Sequence, residues 1–363
     1  MEKRQASLES MEIKRNFWKN KRVLVTGHTG FKGAWLALWL QMLGAKVTAI
    51  SLKPETKPNL FKLIRNNLNI KSYYLDLRNF NEVLKIVNRS KPEIVMHLAA
   101  EAIVSKSLKN PLKTFTSNII GTANLLEALR STKSIKAILV VTSDKVYKNT
   151  NRKKAFTENN ILGGIDPYSA SKSATEIIVS SYYNNFFKKR KIPLVTARGG
   201  NVLGGGDWGY NRLIPDIWRA IKNNNTLTVR NPRATRPWQH VLDVLNGYII
   251  YTQKIFLSKK SFPESLNFGP SKLANYSVIK VINQVTRYFK KKVSIKKNIG
   301  EKFKEHQYLS LNPSLAKVRI KWKSKLSLSE TIKWTVDWYK EYDKGVKIYS
   351  LSERQILDFM RRK

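Results

Sequence analysis

Residues 22–43 constrain the fold more than any other stretch of this chain. The apolar run Arg22-Val23-Leu24-Val25-Thr26 reads as a buried strand. Ala34 to Leu43 reads as a helix with Trp35, Leu38, Trp39 and Met42 on one face, and Gly44 suits the position just past it. Between the two stands GHTGFKG, Gly27 to Gly33. A strand, a glycine turn and a helix in this order build an anion site. Glycine lets the backbone approach a ligand, and the free N–H groups at the helix start attract negative charge. The spacing is G-x-x-G-x-x-G rather than the G-x-G-x-x-G of the best-known dinucleotide fingerprint, so the triplet alone also suits plain turn chemistry. The flanking strand and helix favour a pyrophosphate site.

The alternation continues beyond the first helix. Residues 46–52, 72–77, 94–100, 136–143 and 192–198 read as strands, and Asn79–Val87, Leu112–Arg130 and Tyr168–Phe187 as helices between them. Crossover helices between parallel strands imply an α/β protein with a Rossmann-like doubly wound sheet, its ligands at the carboxyl ends of the strands. After Gly199 the pattern weakens into Gly-, Asn- and Pro-rich loops with short helices. The expected organisation is a basic extension at 1–16, a dinucleotide-binding domain at 17–200 with 236–260 returning to it, a smaller C-terminal substrate-binding lobe mainly at 201–345, and a basic tail at 346–363. Ser327 to Glu330 is a capping box opening the helix Thr331–Tyr342, whose Trp334, Trp338 and Tyr342 suit a core.

The chain has 67 basic and 25 acidic residues, a formal charge of +42. Such a charge invites a nucleic-acid reading. The lysines, however, are spread over the whole length, without a basic arm or a nucleic-acid motif, which fits surface drift toward lysine. A positive field would still draw in anionic ligands. Cysteine is absent, which excludes disulfides, thiolate metal sites and a cysteine nucleophile. Four histidines without clustered carboxylates make no metal-ligand set, so no metal is assigned. No apolar run suits a membrane span, and the first residues lack the apolar centre of a signal peptide; the expected location is cytoplasmic.

Further stretches combine with the glycine turn: Asp76-Leu77, His97-Leu98-Ala99-Ala100, Asn118, Thr142-Ser143-Asp144-Lys145 and Tyr168-x-x-x-Lys172. In this order and spacing the chain from Phe17 onward resembles the extended short-chain dehydrogenase/reductase family. Phe17-Trp18, GHTGFKG, Thr142 to Lys145, Asn201 to Trp208 and Arg236 to Val241 narrow the resemblance to the nucleotide-sugar 4,6-dehydratases that act on CDP-glucose. That resemblance implies an NAD-dependent lyase making a 4-keto-6-deoxy sugar nucleotide for surface polysaccharides. It also implies a homodimer through the helix carrying Ile177, Ile178, Tyr182 and Tyr183. The cofactor-binding residues it implies are Gly27, Thr29, Gly30, Phe31, Lys32, Gly33, Asp76, Leu77, Leu98, Ala99, Ala100 and Asn118, with Tyr168 and Lys172. Asn201, Arg230 and Arg236 would bind the nucleotide-sugar, with Arg233 a weaker candidate; His240 reads as structural.

The chemistry follows residue by residue. Tyr168 and Lys172 lie one helical turn apart and can face the same ligand. A phenol with a reference pKa near ~10 is a poor base until a neighbouring cation favours phenolate. Tyr168 would take the proton of the sugar 4-hydroxyl, which Ser143 would hydrogen-bond. Elimination across C5–C6 then needs an acid for the C6 hydroxyl, Asp144, and a base at C5, Lys145. Asp144 must be held protonated, and Lys145 must be neutral to act. The alternative for this pair is a salt bridge with each other or with other neighbours. Two positions depart from the resemblance. Lys53 stands where an acid usually binds the adenosine ribose, with Glu55 two residues on, so discrimination against NADP is expected to be weaker. Glu101 stands where glutamine is more frequent. The competing functions are another nucleotide-sugar 4,6-dehydratase or a 4-epimerase, which needs no acid/base pair at C5 and C6, and a basic binding protein on the same fold that has lost turnover.

Overall fold

A computed structural model describes residues 13–258, 265–270, 275–298 and 306–362 of the 363-residue chain. One central sheet organises it. In chain order its strands are β1 (Arg22–Thr26), β2 (Lys46–Ser51), β3 (Lys71–Tyr74), β4 (Ile94–His97), β5 (Ala137–Val141), β6 (Leu194–Gly199) and β7 (Ser265–Phe268). Across the sheet they run β7-β6-β5-β4-β1-β2-β3, and every ladder is parallel. The chain leaves β1 toward β2 on one side and enters β4 on the other. The crevice outside the carboxyl ends of β1 and β4 is therefore the switch point where such sheets hold ligands. This is the doubly wound Rossmann-like sheet the alternation predicts.

Two strands end earlier than the apolar pattern suggests. β4 stops at His97, because Leu98 and Ala99 turn out of the sheet and give their N–H groups to the Thr26 hydroxyl, both at 3.2 Å. β3 likewise stops at Tyr74, freeing Leu75 to Leu77 to line the crevice. The expected helix Leu112–Arg130 is continuous, but a π-helical turn at Thr116–Ile120 interrupts it. That turn carries Asn118 toward Glu101, a use π-bulges often have at functional sites.

The helix after the glycine turn, α1 (Phe31–Met42), is more deeply buried than its one expected face. Leu36, Ala37 and Leu40 are inaccessible along with Trp35 and Trp39. The cause lies at the other end of the chain. Residues 346–363, expected as a basic tail, instead contain a packed helix, α2 (Ile348–Arg361), that buries Ile356 and Phe359. Phe359 meets Trp39 edge-on at 5.7 Å. The charges that suggested a tail occupy the outer face of an amphipathic helix. Of the extension expected at 1–16, residues 1–12 lie outside the described part; Ile13 packs on the core and Arg15–Trp18 is a short helix with Trp18 buried.

β7 comes from within the stretch expected mainly to form the lobe, after the buried helix Val241–Leu257. Short two-stranded ladders complete the upper part: 202–203 with 239–240, 227–229 with 295–297, and 235–237 with 275–277. The capping box of Ser327 and Glu330 is formed. Trp338 on that helix is buried among Trp208, Tyr339 and Tyr342. Gly205 fits against it only as glycine, since an added Cβ would lie 2.0 Å from the indole. The loop carrying Asp207 is thereby fixed to the core. Among the described residues no helix is long and apolar enough to cross a membrane.

Candidate active site

The glycine turn owes its shape to two close approaches. Gly27 has φ +81°, and a Cβ there would sit 2.7 Å from the Ala99 nitrogen. Gly33 lies so near the turn that its Cβ would meet the Gly27 carbonyl oxygen at 2.1 Å. Thr29 ties the turn to the end of β2, donating to the Leu52 carbonyl at 2.9 Å and pairing with the Ser51 hydroxyl at 2.7 Å. Behind this turn opens a cavity of about 260 Å³, lined by Gly27, Thr29, Gly30, Phe31, Lys32 and Gly33, by Asp76 and Leu77, and by Leu98, Ala99 and Ala100. Backbone pressed close at Gly27 and Gly33, an open helix start and an acid across the groove fit a dinucleotide.

A second cavity of about 340 Å³ lies on the lobe side, and Ser143, Asp144, Lys145, Tyr168, Asn201, Arg230 and Arg236 all line it. Ser143, Asp144 and Lys145 sit where the chain leaves β5, Ser143 capping a one-turn helix by accepting the Lys145 N–H at 3.2 Å. Tyr168 occupies the first turn of the helix Pro167–Tyr182, which Asp166 caps. Lys32 stands in the walls of both cavities, as do Asp207 and Arg212. The two cavities thus adjoin at the catalytic candidates.

The electrostatics divide these groups. Burial pushes the Asp144 carboxyl above its ordinary range, against the lowering pull of Lys145, the Ser143 hydroxyl, Arg236 and Lys32. One of its oxygens accepts from Ser143 at 2.9 Å, while Oδ2 is buried with no hydrogen-bond partner. Asp144 and Lys145 form no ion pair with each other among the described residues, although the lysine charge pulls the carboxyl downward. Burial pushes the Tyr168 phenol up to about 12, with Asp144 adding to the rise and Ser143 and Arg212 opposing it. Lys172 is not among the groups that act most on the phenol. Its ammonium donates to the Val141 carbonyl at 3.0 Å, outside the cavity linings, and burial with repulsion from Lys32 brings Lys172 down to about 7.

Other expected residues take different places. Asn118 lies outside both linings. Its side chain accepts from the Glu101 N–H at 2.7 Å and donates to the Glu101 carbonyl and to Ser171, fixing the loop that lines the dinucleotide cavity. Glu101 itself pairs with Lys113 at 2.9 Å. Asp76 is gripped by the fork of Arg78, whose hydrogen bonds hold its carboxyl below the usual range. Arg233 is exposed and lines neither cavity. His240 caps the helix Val241–Leu257 through Nδ1, and burial lowers it to about 3, in keeping with a structural role. Lys53 and Glu55 both line the dinucleotide cavity, but Glu55 is held by Lys106 at 2.5 Å. The sequence reading missed Arg212 and Asp207, which pair at 3.3 Å. Asp207 closes a glycine run that was visible; Arg212 follows it in a loop whose sequence has no periodicity to flag it.

Fold and site together define a dinucleotide-dependent enzyme of the extended short-chain dehydrogenase/reductase class with a second ligand cavity beside the cofactor groove. The chain belongs to the family described as GDP-mannose 4,6 dehydratase, whose model matches residues 24–335. It is 39% identical over 353 residues to the CDP-glucose 4,6-dehydratase of Salmonella typhimurium strain LT2, covering 96% of this chain and 98% of that one. It is 28% identical to the dTDP-D-glucose 4,6-dehydratase of Dictyostelium discoideum, over 73% of this chain and 62% of that protein. In fold it resembles the crystal structure of dTDP-glucose 4,6-dehydratase from Bacillus anthracis in complex with NAD, with a TM-score of 0.74, 21% identity and coverage of 90% and 99%.

Proposed function

We propose that this chain is a CDP-glucose 4,6-dehydratase using NAD, converting CDP-glucose to CDP-4-keto-6-deoxyglucose and water for deoxysugar synthesis. Its full-length similarity to the Salmonella enzyme supports the reading. The observation that carries the chemistry is Asp144: a buried carboxyl with a raised pKa and an unpartnered Oδ2, next to Lys145 and in one cavity wall with Tyr168.

The glycine turn, Asp76 and the Leu98–Ala100 loop would hold the dinucleotide. Bound NAD would supply the hydride-accepting and hydride-donating chemistry for C4 and C6. Tyr168 removes the proton of the 4-hydroxyl, with Ser143 hydrogen-bonded at the same oxygen. Once C4 is a ketone the C5 proton is acidic, and Lys145 takes it. Asp144, whose carboxyl burial pushes toward the protonated form, gives a proton to the leaving C6 hydroxyl, and Lys145 then returns the C5 proton. Asn201, Arg230 and Arg236 lie along the lobe cavity where a diphosphate would run, with arginine forks suited to its oxygens. A 4-epimerase would need Tyr168 and Ser143 but would leave the buried Asp144 acid unused.

The chain is proposed to act in the cytoplasm as a homodimer. Ile177, a large apolar side chain on the helix expected at a subunit interface, is 62% exposed. Light scattering is expected to give twice the chain mass, and a monomer at micromolar concentration would contradict it. Activity is tested by incubating the purified protein with CDP-, dTDP-, UDP- and GDP-sugars and following loss of water by mass. Loss from CDP-glucose is expected; an isomer of unchanged mass would point to epimerisation.

A further inference from the structure

The proposed dehydration leaves two groups out of balance. Per cycle, Tyr168 gains the proton of the 4-hydroxyl as the C4 hydride leaves. Lys145 takes the C5 proton and gives it back. Asp144 loses its proton to the C6 oxygen as the C6–O bond breaks and water departs. At the end Tyr168 holds one proton too many and Asp144 one too few. The next cycle cannot begin until a proton has moved between them or been exchanged with solvent.

We propose that Ser143 is the relay that moves it, taking the Tyr168 proton on Oγ and passing its own to Asp144 Oδ1. The proposal rests on the dehydratase reading and adds an internal reset to it. Ser143 Oγ donates to Asp144 Oδ1 at 2.9 Å and accepts the Lys145 N–H at 3.2 Å. A hydroxyl has one donor and two acceptor positions, so a single lone pair remains. The phenol of Tyr168 faces the same cavity and feels this hydroxyl, which pulls its pKa down. The two oxygens do not form a hydrogen bond of normal geometry here; catalytic contacts of this kind commonly tighten when ligand binds. The orientation is the one a reset needs: the Tyr168 O–H bond breaks as Ser143 accepts, and the Ser143 O–H bond breaks as Asp144 accepts.

Solvent is a poor alternative. Ser143, Asp144 and Tyr168 are only 6%, 3% and 8% exposed. The pKa gap opposes the hop in the protein alone, since burial holds the phenol at about 12. The positive charge of an oxidised nicotinamide, if bound in the adjoining cavity, would narrow that gap. The charged groups acting on the trio are Lys145, Arg236 and Lys32 on Asp144, and Arg212 and Asp166 on Tyr168.

The test follows product formation by rapid quench with holoenzyme and CDP-glucose, at rising concentrations of imidazole or acetate buffer at fixed pH and ionic strength. Ser143→Ala is expected to complete a first turnover per site, more slowly than wild type because the 4-hydroxyl contact is lost. Its later turnovers should be at least ~10-fold slower than its first and accelerate with buffer concentration, as small acids replace the relay. Ser143→Thr keeps the hydroxyl and should show neither effect. Wild-type turnover should be independent of buffer. A Ser143→Ala enzyme slowed equally in all turnovers, without buffer response, would restrict Ser143 to holding the 4-hydroxyl. Wild-type turnover that rises with buffer would likewise overturn the relay, and needs no variant to fold. Failure of the dehydratase reading looks different: the wild type would release no water from CDP-glucose in any buffer.

Discussion

Lys172 Nζ donates a 3.0 Å hydrogen bond to the carbonyl of Val141, the last residue of β5. The lysine one turn from Tyr168 is thereby fastened to the strand end from which Ser143, Asp144 and Lys145 emerge. Its position, rather than direct contact with the phenol, is what the spacing of the two residues secures. Helix and strand are locked together again one turn on, where Glu176 accepts from Thr142 and Thr196 and from the fork of Arg198.

Tyr168→Phe tests the base. The phenol contributes no hydrogen bond to the fold that the ring would not survive without, so the variant should keep its thermal midpoint and bind CDP normally. Turnover should fall by at least ~100-fold, the ordinary worth of a positioned acid or base. Turnover within a few-fold of wild type would remove Tyr168 from the chemistry.

The buried Lys172 predicts a pH dependence of stability. Its pKa of about 7 in the folded protein lies below the ~10.4 of a lysine in an unfolded chain. Between those values the unfolded chain binds a proton that the native protein does not. Stability tied to this group therefore rises with pH above 7 and is lowest below it. Lys172→Met removes that term, so the variant's melting point relative to wild type should fall from pH 7 to pH 9. Lys32, brought down to about 8 chiefly by burial, has the same sign and stays in the variant, so the slope shrinks without vanishing. Parallel melting curves across this range would contradict the assignment.

Cofactor discrimination depends on Lys53. It lines the dinucleotide cavity where an acid would repel a 2′-phosphate, and Glu55 is tied to Lys106 at 2.5 Å instead of standing in for that acid. NAD is expected to be the working cofactor, because an exposed, screened lysine attracts a phosphate only weakly. Lys53→Asp should sharpen the preference for NAD, measured as the ratio of dissociation constants for the two dinucleotides. Lys106→Ala should move it the same way by freeing Glu55. Unchanged ratios in both variants would place the discrimination elsewhere.

Arg198 and Glu176 form a buried pair at 2.8 Å, 5% exposed at each residue. Breaking it leaves an uncompensated buried carboxylate. Arg198→Met should cost about 3–5 kcal/mol, read from denaturant unfolding, without contact with either cavity. A cost below about 1 kcal/mol would mean that the carboxylate finds other partners or a proton.

The parts of this molecule legible in the sequence were those fixed by local rules. Strand, glycine turn and helix at 22–43 follow from periodicity and from two positions where only glycine fits, Gly27 and Gly33. That Ser143, Asp144, Lys145 and Tyr168 adjoin in one wall was implied by the family resemblance, and the cavity lining brings them together. What was not legible depends on long-range contact. Burial of α1 on all sides needs Phe359, more than three hundred residues away in the chain, and the charges of α2 hide its apolar stripe. The inward turn of His28 to Ser72 at 2.6 Å, and the pairing of Asp207 with Arg212, are likewise tertiary outcomes. The spacing of Tyr168 and Lys172 shows that the two lie close but not that the lysine ammonium points to Val141.

The central claim is that one site removes a hydride from C4 of CDP-glucose and returns it to C6 of the same molecule as water leaves. CDP-glucose carrying deuterium at C4 tests it most directly, with the product examined by mass and NMR. The account predicts loss of one water and the deuterium in the new C6 methyl group, without dilution by unlabelled molecules in a mixed incubation. A product of unchanged mass with deuterium still at C4, or a dehydrated product whose label has exchanged into solvent or into other molecules, would contradict it.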